Sequence, residues 1–77
     1  MRYIEDVNDD AVFVNQVTAL IVEHADDGMC GVVARCSGGS GFVWMTFVLL
    51  RGTQEACIAY REKLLKAIGA EEVRIDD

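Results

Sequence analysis

Three cysteines and one histidine are the only soft nucleophiles and metal ligands in the chain: Cys30, Cys36, Cys57 and His24. A catalytic thiol needs a base beside it and a third group that orients the base. No motif around any of the three cysteines supplies that trio. Cys30 and Cys36 are six residues apart. On a strand they would share a face but lie about 20 Å apart, too far for one metal ion to take both. Zinc asks for four close ligands, and Cys30 with His24 across a turn makes only half a site. An odd number of cysteines at scattered spacing is not a disulfide framework. Free, buried thiols in a reducing compartment explain them. No catalytic residue, metal or cofactor is expected, and the chain reads as a non-enzyme.

The remaining candidates also have structural explanations. Ser37-Gly38-Gly39-Ser40-Gly41 looks like a phosphate loop, but phosphate cradles open into a helix N-terminus. This loop leads into a strand and reads as a hairpin tip. The acids gather near expected turns: Asp6, Asp9 and Asp10; Asp26 and Asp27; Glu71 and Glu72; Asp76 and Asp77. Such oxygens suit a hard cation, yet EF-hand spacing is lacking. They read as caps and as an acidic surface formed by Asp9, Asp10, Asp26, Asp27, Glu71 and Glu72. None sits in an apolar run, so none is desolvated enough for acid–base work.

Composition narrows the partners. The 77 residues carry 13 acids against 7 bases, for a net charge of −6. Binding through phosphates draws its affinity from surplus Lys and Arg, so direct nucleic-acid binding is not expected. An anionic membrane surface is disfavoured for the same reason. The longest apolar run, 42–50, is too short to cross a bilayer as a helix. Residues 1–10 carry four acids, the wrong flank for a secretory signal. A cytoplasmic location is the expectation. Length allows one small domain, 1–77, and small domains bury a modest fraction of their surface. The 52% hydrophobic content is high for that size. An apolar excess of this kind is often finished off in an oligomer.

Positioning elements follow from periodicity. Residues 2–7 suggest a short strand. Over 10–25, Phe13, Val17, Leu20, Ile21 and His24 fall on one helical face, and the spacing predicts a helix. Its β-branched content favours a strand instead, in which case Asp26-Asp27-Gly28 is a hairpin turn. Segments 29–36 and 42–50 read as a strand hairpin. Residues 53–68 form a helix capped by Thr53 and stopped by Gly69, with Cys57, Tyr60, Arg61, Leu64 and Ile68 on its inner face. A last strand is expected over 71–76. The resulting order is βαββαβ, an α+β ferredoxin-like two-layer sandwich. The alternative is an antiparallel β-meander followed by a helix and a short strand. In outline the first order resembles ACT-type regulatory domains and other small dimeric modules, an analogy that fixes no function.

Segment 42–50 is apolar on both alternating sets, the mark of a strand covered on two sides. Helices on one side would leave Phe42, Trp44, Val48 and Leu50 facing water. Strand 29–36 would add either Cys30, Val32, Ala34 and Cys36 or Val33 alone. A contiguous apolar patch marks an interface. The expected function is therefore a non-enzymatic protein-interaction module, homodimeric through the sheet face around Trp44. Two alternatives stand beside it. One is an acidic inhibitor or decoy, viral or mobile-element in kind, for a basic nucleic-acid-binding protein. The other is a small-ligand regulatory domain.

Overall fold

The computed structural model describes residues 2–37 and 44–70. The expectations for Phe42, Glu71 and Glu72, and for a strand over 71–76, lie outside these residues. A short hairpin comes first: β1 (Tyr3–Glu5) pairs antiparallel with β2 (Ala11–Phe13). A single 3₁₀ turn (Val14–Gln16) then leads into β3 (Val17–His24). β4 (Cys30–Ser37) and β5 (Trp44–Gly52) complete an antiparallel sheet of order β3-β4-β5. One helix follows, α1 (Gln54–Ala67).

The fold is α+β, but the helix predicted over 10–25 is not there. That stretch is β2, a 3₁₀ turn and β3, so the ferredoxin-like βαββαβ order is not found and only one helix is present among the described residues. β-Branched content outweighed the helical spacing. The apolar residues were spaced by a strand whose phase slips twice. The 3₁₀ turn interrupts the alternation at 14–16, and a bulge between Val17 and Ala19 shifts it again. Beyond those breaks, Leu20 and Val22 pair with Ala34 and Val32, while Ala19 and Ile21 pair with Arg35 and Val33. The described residues hold a three-stranded meander followed by a helix, preceded by the β1–β2 hairpin, and the short last strand of the alternative order falls outside them.

The helix forms where its end signals stand. Thr53 Oγ1 accepts the Ala56 N–H at 3.2 Å, an N-cap bond. At the other end Gly69 takes φ +78°, with bonds from Gly69 N–H to Lys66 O and from Ala70 N–H to Leu65 O. That is a Schellman motif, and its left-handed residue favours glycine. Cys57, fully buried, anchors α1 on one face of the sheet with Cys30, Val32, Ala34, Cys36 and Leu49; Tyr60 and Leu64 flank this core. Val12 and Ile4 bring the N-terminal hairpin to the same side.

Two hairpin turns share one construction. In the β3–β4 turn, Ala25 N–H donates to Met29 O, Gly28 N–H to Ala25 O, and Gly28 has φ +80°. In the β1–β2 turn, Asp6 N–H donates to Asp10 O, Asp9 N–H to Asp6 O, and Asp9 has φ +64°. Both are three-residue loops closed by a left-handed residue. Asp6, buried, organises the first: its Oδ1 accepts from Asn8 and Asp10 N–H at 2.8 Å each.

Candidate functional site: an open sheet face

The sheet has two faces, and the described elements cover one. On the covered face lie Cys30, Val32, Ala34 and Cys36 of β4, with α1 over them. On the other face the register sets three rows across the strands: Glu23–Gly31–Arg51, Ile21–Val33–Val48 and Ala19–Arg35–Thr46. Val33 is buried, while Ile21 and Val48 are half-buried. No described element packs over this face.

A bulge in β5 decides which residues join it. Val33 pairs with Val48 and Val32 with Leu50, leaving Leu49 as the extra residue. Leu49 is buried, and Leu50 packs against the core. Leu50 is therefore not on the open face, as strict alternation had placed it; the extra residue rotates it inward. Val48 is on the open face, and the backbone of Trp44 stands in register with Ser37. From β4 the contribution is Val33 rather than the even-numbered set. Periodicity missed Ile21, Gly31, Arg35 and Arg51 as members of this face. The alternation Ala19, Ile21, Glu23 was the signal that could have found Ile21, had the segment been read as strand.

Both edges of the sheet are blocked in the middle. The bulge turns Val48 O outward, where it accepts the Val7 N–H at 2.9 Å. On the β3 edge, Arg61 Nε donates to Leu20 O at 3.0 Å. Pairing with an added strand needs those carbonyls free. The face is more available to a partner than either edge.

The residues with chemical promise sit elsewhere. His24 and Cys30 form a cross-strand pair, with Nδ1 and Sγ 3.2 Å apart. His24 lies at the exposed end of β3 rather than on a helix face. Cys30 as a residue is 3% exposed. Cys36 and Cys57 are also free thiols in the core, and burial pushes the Cys36 thiol and the Tyr60 phenol above their ordinary pKa values. Asp9 and Asp10 occupy the first hairpin turn, Asp26 and Asp27 the second, all exposed. Among the described residues no three His, Cys, Asp or Glu side chains gather closely enough to hold a metal ion. No described helix is long and apolar enough to cross a membrane. A groove of about 570 Å³ between the N-terminal hairpin and the end of α1 is lined mainly by Tyr3, Ile4, Val14, Leu64 and Ile68, and its one charged lining residue, Arg2, donates to Ala67 O.

No protein-family model, curated protein or solved structure matches the chain. The geometry of the open face has to carry the functional reading.

Proposed function

We propose that this chain is a non-enzymatic protein-interaction module that self-associates, face to face, through the open side of its sheet. The observation behind this reading is the row Ile21–Val33–Val48, an apolar seam crossing all three strands with no described element over it. Val33 is already buried and Ile21 and Val48 are half-buried, so the gain comes from the area Ile21 and Val48 still expose and falls below the roughly 1.5–3 kcal/mol of a full side-chain burial.

Charge supports a second copy as the occupant. The chain carries −6 overall, but among the described residues this face holds one acid, Glu23, and two bases, Arg35, which already has an interaction within the chain, and Arg51. The turn acids that would repel a second copy lie on the hairpin ends. Size sets the strength. Three strands over some seven residues cover a flat footprint of roughly 14 Å by 23 Å. That is small beside the about 800 Å² per partner of a standard interface, so the dimer should dissociate on dilution.

The test is solution mass by light scattering over a hundredfold dilution, comparing the natural chain with Val48→Lys. The natural chain is expected to pass from dimer to monomer. The variant should remain monomeric throughout and keep its fold. A natural chain that is monomeric at millimolar concentration would sink the proposal.

A further inference from the structure

We propose that Cys30, with His24 as its base, is a modification site at which the thiol exchanges with a small disulfide and takes up one mixed-disulfide adduct. The site lies on the covered face, at the turn end of the β3–β4 hairpin. It stands independently of the self-association proposed above.

His24 is the chain's one histidine, and the register sets it directly opposite Cys30. Its Nδ1 lies 3.2 Å from Sγ. An imidazole within hydrogen-bond reach of a thiol can take its proton and leave the thiolate, the form that attacks. The hairpin closes immediately beyond the pair, with Ala25 N–H donating to Met29 O, so the backbone holds the two side chains side by side. His24 itself is exposed, which joins the buried thiol to solvent through the ring. Cys30 also stands in register with Gly52, the residue before Thr53, the N-cap of α1. The positive end of the helix favours negative charge there. Glu55, the acid of that first turn, is exposed, where water screens it. The other two thiols lack this setting. Cys36 sits at the far end of β4, opposite Val17 and Met45, and burial pushes its thiol above the ordinary pKa. Cys57 is fully buried under α1.

A thiol that reacts once needs a base but none of the orienting groups that turnover requires. With the ring in its Nε2–H form, Sγ passes its proton to Nδ1. The thiolate attacks one sulfur of the disulfide. A new Sγ–S bond forms as the reagent's S–S bond breaks, and the departing thiolate takes the proton back from the imidazolium. Cys30 is oxidised and one half of the reagent is reduced, so no further oxidant is needed. Size and charge select the reagent. The slight exposure of Cys30 admits only a small molecule. Glu23, Asp26 and Asp27 are exposed beside the pair, against the one base Arg51 among the described residues of that end. An uncharged or cationic disulfide is therefore favoured over an anionic one.

Exchange with dithiodipyridine, a small uncharged disulfide, tests the site, with peptide mapping to follow each thiol. In the natural chain Cys30 is expected to react at least about tenfold faster than Cys36 and Cys57. That comparison needs no substitution. His24→Gln should then slow Cys30 at least about fivefold relative to Cys57, whose rate reports opening of the whole fold. If the ring served only as a cover, its removal would speed Cys30 instead, and the proposal would fall. Cys36 or Cys57 reacting first, or all three reacting at one rate, would overturn it as well. At low salt the cationic disulfide cystamine should modify Cys30 at least about threefold faster than the anionic disulfide of thioglycolate, and added salt should narrow the gap. Equal rates at low salt would overturn the charge preference alone.

Discussion

The two hairpin turns show how one residue type can sit well or badly in the same backbone. Gly28 and Asp9 occupy equivalent positions at φ +80° and +64°. The left-handed region costs an L side chain roughly 1–2 kcal/mol, less for Asp, whose short polar group bonds locally. Gly28→Ala should therefore lower stability by about 1–2 kcal/mol in urea unfolding. No atom lies within 4 Å of the added Cβ, so the loss is backbone strain alone. Asp9→Gly should move the other way and raise stability by about 0.5 kcal/mol, because glycine's extra freedom in the unfolded chain offsets part of the relief. Equal effects of the same sign would mean that the two turns are not built alike. Asp26-Asp27-Gly28 reads as this turn only in the alternative strand reading of 10–25. Asp9 does not, since an aspartate next to an aspartate reads equally well as a helix cap.

At the scale of elements, legibility followed the strength of local signals. Helix 54–67 was readable because a cap, an inner stripe and a terminal glycine agree. The β4–β5 hairpin was readable from two long β-rich runs joined by glycines and serines. The stretch 10–25 was not, because a 3₁₀ turn and a bulge break the period that identifies a strand, and what remains imitates a helical spacing. The bulge at Leu49 hid the face of Leu50 for the same reason: one extra residue reverses the side of every residue beyond it. This assignment can be checked directly. Leu50→Lys places a charge against the core and should cost roughly 2–4 kcal/mol of monomer stability. Val48→Lys, on the open face, should cost about 1 kcal/mol or less, since its stem lies along the sheet while the amine reaches water. Chemical denaturation below the dissociation concentration separates the two. The reverse ranking would place Leu50, not Val48, on the open side.

For the whole molecule, the decisive fact is that the described residues hold a single helix. Among the described residues one helix covers one side of the sheet and no element lies over the other, the side assigned above to a second copy. Val7 and Arg61 block both sheet edges, which disfavours open-ended strand addition and is compatible with the proposed face-to-face pair. If that pair forms, folding and association are linked, because the dimer binds only folded chains. Stability then grows with concentration as RT ln(1 + [L]/Kd), by about 1–2 kcal/mol as the free chain rises well above its dissociation constant. For a domain of this size each kcal/mol shifts the thermal midpoint by roughly 4–8 °C. Calorimetry over a hundredfold range of concentration should therefore show the natural chain's midpoint climbing by at least about 4 °C. Val48→Lys should melt at one temperature throughout. A natural chain with a constant midpoint would mean that this acidic domain does not use a second copy of itself to cover the sheet face.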